Sequence, residues 1–92
     1  PSDGVYAGYA IISYKKYIGM INIGKRPTLE GKERRVEMNI FDYNDMLYGK
    51  EMKISFIKRI RDERKFKNLD DLSKQLRKDK LETIKIIENE EI

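Results

Sequence analysis

The segment from Gly19 to Lys50, GMINIGKRPTLEGKERRVEMNIFDYNDMLYGK, contains the pattern that decides the fold and the strongest candidate for a catalytic group. It places one carboxylate, Glu37, inside a run of residues that otherwise favours a β-strand. Because successive side chains of a strand point to opposite faces, Val36, Met38 and Ile40 share the face opposite to this carboxylate. If the apolar set faces the core, Glu37 faces a rim or a cleft.

Working outward from this segment, the sequence predicts a mainly β chain with one C-terminal α-helix. Alternating β-branched and aromatic residues predict strands over residues 4–13, 17–23, 35–42 and 51–60, and helical spacing of apolar residues predicts a helix over about 69–87. Residues 24–34, with two glycines, a proline and several charges, are predicted to form a loop. Asn68 is predicted to cap the helix N-terminus.

Composition limits the kinds of chemistry that this chain can perform. Ninety-two residues are enough for one small domain. The chain contains no Cys and no His, so proton transfer near neutral pH falls to Asp, Glu, Lys or Tyr. Its net charge is +4, with both signs interleaved, and it has no apolar run of the roughly 20 residues that span a bilayer. We therefore expect a soluble, cytoplasmic protein that does not enter a membrane.

Several charged groups have both a structural and a functional interpretation. Glu37 is either a solvated strand residue or a general base, and Asp42 and Asp45 are either turn residues or ligands of a metal or hydroxyl. The basic residues between Lys25 and Arg35 form either a solvated surface or a phosphate site. The run Lys58–Lys67, KRIRDERKFK, suits contact with an anionic or aromatic ligand, although its Phe66 could instead pack in the core.

A set of motifs, taken in order, resembles the riboflavin kinase family. They are GVYA at 4–7, NIGKRPT at 22–28, VEMNIFDY at 36–43, LYGK at 47–50, and RIRDERKF at 59–66 followed by LDDLSKQLRKD. The ordered set of NIG-x-RPT, a Glu in the next strand, YGK and R-x-E-x-x-F before a helix is the specific part. The likeness covers nearly the whole chain and is greatest to the kinase module of bacterial bifunctional FAD synthetases.

The resemblance implies a small antiparallel Greek-key β-barrel of six strands with a C-terminal helix. It also implies transfer of the ATP γ-phosphate to the ribityl 5′-hydroxyl of riboflavin, giving FMN, with Mg²⁺ accompanying ATP and Glu37 as the base that takes the hydroxyl proton. The remaining site residues that it implies are Ile40, Asp42 and Tyr48 for ATP, Arg61, Arg64 and Phe66 for the flavin, and Arg26, Pro27 and Thr28 in a flap beside the site.

Two departures from the family pattern affect what we expect of this chain. Asn39 stands where the family often has His. The family's Pro-Thr-Ala-Asn segment, which holds the metal and the ATP phosphates, is not in these 92 residues. We therefore expect this chain to be a piece of a longer protein. The piece lacks the first strand and the metal ligands, and an adenylyltransferase domain is expected to precede it in the parent protein. We expect weak or absent kinase activity, some flavin affinity, and strand-exchanged dimers formed through the open edge.

A second interpretation from another functional class stays open at this point. A small basic β-barrel can grip single-stranded nucleic acid through Lys25–Arg35 and Lys58–Lys67. This interpretation predicts strong salt dependence and no response to riboflavin. The acids Glu30, Glu33 and Glu63 interrupt the positive track and count against it.

Overall fold

The computed structural model describes residues 1–43 and 51–90. Within them the chain forms four strands and one helix: β1 (Gly4–Ile12), β2 (Lys15–Thr28), β3 (Gly31–Ile40), β4 (Met52–Arg61) and α1 (Leu69–Glu90). The predicted class, mainly β with one C-terminal helix, is confirmed. The strands form one antiparallel sheet in the order β3-β2-β1-β4. Hairpins join β1, β2 and β3, and β4 returns beside β1, which is the Greek-key arrangement.

The two faces of the sheet have different contents. On the first, which we call the core face, Tyr6, Ile21 and Ile23 are buried together and Met38 packs against them. The opposite face, which we call the site face, carries Glu37 on β3, directly across from Asn22 on β2. The alternation inferred from the sequence around Glu37 is therefore confirmed for Met38, which lies on the apolar side.

The prediction of a loop over residues 24–34 is wrong, because β2 continues to Thr28 and β3 begins at Gly31. The backbone pairing of these two strands extends to Thr28 of β2, which lies opposite Gly31 of β3. The pairing of β1 with β2 ends at Ile23, so residues 24–28 of β2 pair with β3 alone. Apart from Gly24, which is buried, and Arg26, which is partly buried, this two-stranded ribbon is exposed and therefore carries charges. Proline is tolerated at position 27, because the edge of β2 that faces no other strand there needs no backbone N–H to donate a hydrogen bond.

The amphipathic helix α1 packs across the site face, with Thr83, Ile86 and Ile87 buried. Charged residues are interspersed with the apolar ones along its 22 positions. Among the described residues no helix is long and apolar enough to cross a membrane. The predicted N-cap is confirmed, because the Asn68 Oδ1 accepts a hydrogen bond of 2.9 Å from the backbone N–H of Asp71.

We predict that Asn68→Ala lowers the free energy of unfolding by about 1 kcal/mol, because one N–H of the first helical turn then loses its acceptor. Chemical denaturation monitored by far-ultraviolet circular dichroism measures the change. Lys67→Ala, one residue before the cap, is the matched control and should leave stability nearly unaltered. Equal stability of the wild type and Asn68→Ala would contradict a capping role.

Candidate functional site

Three adjoining cavities lie between the site face and α1. The arginine cavity, about 490 Å³, is lined by Arg61, Arg64 and Phe66 among others. The Glu37 cavity, about 200 Å³, follows it and shares Asn22, Arg61 and Leu76 with it. The Asp42 cavity, about 360 Å³, comes next and shares Met20, Asn39 and Leu76 with the Glu37 cavity. We call this row of three adjoining cavities along the sheet the groove.

Glu37 occupies the middle of this groove. Its side chain is 55% exposed, and its Oε1 lies 3.2 Å from Nε of Arg26 on the neighbouring strand. Asn22 lies opposite Glu37, and its Oδ1 is buried without a hydrogen-bond partner among the described residues. The carboxylate is thus held from one side and remains accessible to a ligand in the groove.

Arg26 contacts a second carboxylate in addition to Glu37. Its NH1 donates a hydrogen bond of 2.6 Å to Oε1 of Glu63, which follows β4. The pKa of the Arg26 guanidinium is raised above its ordinary value, chiefly by the hydrogen bond to Glu63, with the charge of Glu37 adding to the effect. Glu63 belongs to the R-x-E-x-x-F motif, but its sequence context did not predict a place for it in the site. The two acids and the arginine form one connected ion triad.

The structure brings the three predicted flavin residues together in the arginine cavity. The guanidinium carbon of Arg64 lies 4.9 Å from the centroid of the Phe66 ring, and that of Arg61 lies 6.0 Å from it. These distances are typical of cation–π contacts. Phe66 therefore faces the cavity together with two cations. Such a surface suits a flat aromatic ligand.

Arg61 is also tied to the helix through Asp79, a residue that the sequence analysis missed. Its Nε and NH2 donate to the Asp79 carboxylate at 3.0, 3.0 and 2.7 Å, and its NH1 donates to the carbonyl of Asp62 at 3.0 Å. Gln75 donates a hydrogen bond of 2.9 Å from its Nε2 to this carboxylate and accepts one of 2.7 Å at its Oε1 from NH1 of Arg64. Asp79 is 2% exposed and falls three residues after Leu76 on the apolar stripe of the helix. A carboxylate on the apolar face of a predicted helix was the sequence signal that could have identified this residue.

The remaining predicted residues lie at both ends of the groove. Ile40 and Asp42 line the Asp42 cavity, and Asp42 has the positive φ of 55° of a left-handed turn residue. Pro27 lines the arginine cavity, whereas Thr28 is exposed at the end of β2. Tyr48 lies outside the described residues, as does Asp45.

The described residues form no metal site of their own. No three acidic side chains converge among residues 1–43 and 51–90 in a way that could hold a metal. Glu37, the carboxylate at the centre of the groove, is engaged by the guanidinium of Arg26. A positively charged donor at that carboxylate does not suit it to a second cation.

Comparison with known proteins places this architecture in a family. The family model described as riboflavin kinase matches residues 1–87. The bifunctional riboflavin kinase/FMN adenylyltransferase of Bacillus subtilis is 42% identical over 92 residues, which is 97% of this chain and 29% of that protein. The "RNA-binding riboflavin kinase RibR" of the same organism is 36% identical over 78 residues, which is 84% of this chain and 34% of that protein.

A solved structure agrees with these matches. It is described as the crystal structure of a macrolide-efflux protein from Streptococcus pneumoniae, and it superposes with a TM-score of 0.81 at 42% identity over 90% of this chain and 27% of that one. The chain thus spans about a third or less of the length of these relatives. The family match over residues 1–87 shows that the chain belongs to the riboflavin kinase family.

Proposed function

We propose that this domain transfers the γ-phosphate of ATP to the ribityl 5′-hydroxyl of riboflavin, giving FMN and ADP. The observation that carries the proposal is the order of the three adjoining cavities, each of which shares lining residues with the next. A cavity suited to a flat aromatic ring leads through shared lining residues to Glu37 and from there to the Asp42 cavity. A flavin in the first cavity can extend its ribityl chain past the carboxylate toward a nucleotide in the third.

In the proposed reaction Glu37 is the general base. The riboflavin oxygen forms a new bond to the γ-phosphorus, the bond from that phosphorus to the β–γ bridging oxygen breaks, and ADP leaves with its electron pair. The hydroxyl proton passes to the Glu37 carboxylate. A primary alcohol is a weak nucleophile, so a carboxylate within hydrogen-bond reach of it contributes to the rate.

We assign the flavin ring to the arginine cavity and the nucleotide to the Asp42 cavity. The Phe66 ring and the Arg64 guanidinium supply a stacking surface for the isoalloxazine ring. Arg61, bound to Asp79 through two of its nitrogens, supports this surface. Ile40 and Asp42 contact ATP in this proposal, as does Tyr48. Thr28 and its neighbours form the flap, which is a β-ribbon.

Mg²⁺ belongs to the proposal as the partner of the ATP phosphates. When bound, it neutralises charge that develops on the transferring phosphoryl group. No three acidic side chains of the described residues converge on a site for the ion, and no step assigned to this chain depends on it.

We predict that Phe66→Leu weakens riboflavin binding by about 1–3 kcal/mol, because leucine keeps apolar bulk but has no ring face for stacking. Quenching of riboflavin fluorescence on titration with the protein measures the dissociation constant. Phe56→Leu is the matched control, since Phe56 packs edge-on against Tyr6 on the core face, with ring centroids 5.3 Å apart. It should leave the constant unchanged. Equal binding by the wild type and Phe66→Leu would remove Phe66 from the flavin site.

We also propose that the domain works in the cytoplasm as part of a longer protein with an FMN adenylyltransferase domain. The names of the bifunctional relatives support the adenylyltransferase domain. The strand-exchanged dimer stays a proposal as well. Its support is that β3 and β4 form the edges of the described sheet and offer backbone groups for pairing with a second copy. Sedimentation measurements on the purified chain test it.

A second candidate function is binding of single-stranded nucleic acid. The name of one relative, which describes it as RNA-binding, and the cations Lys25, Arg64 and Lys65 in the arginine cavity favour it. Against it, Arg26 and Arg61 are both committed to carboxylates. A titration with a single-stranded oligonucleotide at several salt concentrations separates the two functions, since backbone binding weakens steeply with salt.

A further inference from the structure

Three residues of the two most specific motifs meet on the site face, yet none of them has a part in the chemical step proposed above. Gly24 and Arg26 come from NIG-x-R, and Glu63 comes from R-x-E, 37 positions after the arginine. Arg26 bridges two carboxylates, with Nε 3.2 Å from Glu37 and NH1 2.6 Å from Glu63. Such a bridge needs the planar fork of a guanidinium, because a lysine ammonium is a single point of charge.

Gly24 provides the space in which this bridge forms. It lies on the site face of β2, two residues before Arg26. A Cβ built at Gly24 would lie 1.8 Å from Oε1 of Glu63. Any side chain at this position would therefore displace the carboxylate that holds Arg26. The φ of Gly24 is not positive, so its backbone does not require glycine and the requirement comes from the close approach of Glu63.

The ion triad determines where the Glu37 carboxylate can point. Half-exposed glutamate side chains have several accessible rotamers, and a base that must meet a hydroxyl needs one of them. Arg26 from β2 contacts Glu37 directly with Nε 3.2 Å from Oε1, and Arg61 from β4 lines the Glu37 cavity, whereas α1 presents Leu76 to it. Arg61 is already held by Asp79. Arg26, which forms the ion pair with Glu37, is therefore placed to orient the base.

We propose that Arg26 is a positioning residue for Glu37, and that Glu63, seated over Gly24, holds Arg26 in the orientation that this requires. The guanidinium engages Oε1 and leaves Oε2 to accept the hydroxyl proton. This inference rests on the proposed function, because it assumes that Glu37 is the base.

The kinetic test compares Arg26→Gln, Arg26→Lys, Glu63→Gln and Gly24→Ala with the wild type, in this chain and in a version extended at its N-terminus. We expect Arg26→Gln to lower kcat for FMN formation roughly 10- to 100-fold, with a smaller change in KM for riboflavin. Arg26→Lys should recover part of the loss, and Glu63→Gln and Gly24→Ala should show smaller losses of the same kind. Arg34→Gln is the matched control, since it removes an ion pair with Asp3, 3.0 Å long, away from the groove. An unchanged kcat in Arg26→Gln would overturn the proposal.

A second measurement does not depend on turnover. The Nε–Hε group of Arg26 is expected to give a distinct, slowly exchanging signal in ¹⁵N nuclear magnetic resonance spectra, because it donates to Glu37. Glu37→Gln should speed its exchange with water, whereas Glu33→Gln should not. If Glu37→Gln leaves the exchange of the Arg26 Nε–Hε proton unchanged, Arg26 does not hold Glu37 and the proposal is overturned. If neither version of the wild type binds riboflavin or forms FMN, the proposed function fails, and the resonance experiment still decides whether Arg26 holds Glu37.

Discussion

Glu37→Gln is expected to lower kcat for FMN formation by about 10²- to 10⁴-fold while riboflavin binding stays close to that of the wild type. An amide has nearly the size of the carboxylate and fills the same place in the groove, but it cannot take the hydroxyl proton. The side chain is 55% exposed, and Arg26 keeps its second partner Glu63 in the variant. We therefore expect the fold to persist.

The assay follows FMN formation by chromatography and riboflavin binding by fluorescence quenching. Glu33→Gln is the matched control, because Glu33 lies on the same face of the same strand and its side chain is 56% exposed. That variant should turn over at the wild-type rate. The version extended at its N-terminus is assayed in parallel. Turnover by Glu37→Gln equal to that of the wild type would exclude Glu37 as the base.

Asp79→Ala is expected to lower the free energy of unfolding by about 3–5 kcal/mol, the cost of leaving one member of a buried ion pair without its partner. Asp79 is 2% exposed, and the Arg61 side chain that it holds is 18% exposed. Gln75 loses an acceptor in the same variant. A small domain has a total stability of about 5–15 kcal/mol, so the variant should be partly unfolded or close to it at 37 °C.

Denaturant titration of the purified variants measures this effect. Asp70→Ala is the matched control on the same helix, because its pair with Lys74, 3.3 Å long, is exposed to solvent and should contribute only a few tenths of a kcal/mol. The double variant Asp79→Leu with Arg61→Met should recover much of the lost stability, since an apolar pair replaces both buried charges. A loss in Asp79→Ala no larger than that in Asp70→Ala would show that the buried pair does not anchor α1.

Local sequence patterns were sufficient for most of the secondary structure. The alternation of apolar residues identified the strands, and Asn68 followed by an acidic first turn identified the start of α1. The same approach failed for residues 24–34, where Gly, Pro and charge predicted a loop. That segment is a two-stranded ribbon whose pairing depends on β3, and its exposure removes the apolar alternation on which strand prediction relies.

The candidate site was only partly visible in the sequence. Glu37 stood out because a charged residue inside a strand pattern is unusual, and the motif around Phe66 marked the other end of the groove. Asp79 was not identified from the sequence because it lies in a helix rich in charged residues, although it is a charged residue on the apolar stripe of that helix. Glu63 and Arg26 belonged to recognised motifs, but no local pattern connects two residues 37 positions apart.

The sequence by itself determined the strands of the mainly β fold, the helix cap, the family and the identity of Glu37 as the strongest candidate for the base. These features depend on residues close together in the chain or on motifs read in order. Only the tertiary structure decided the partners of that carboxylate: the ion triad over Gly24 and the buried pair of Arg61 with Asp79. The physical reason is that electrostatic contacts and burial depend on distance in space. That distance is set by the pairing of the strands and the packing of α1 on the sheet.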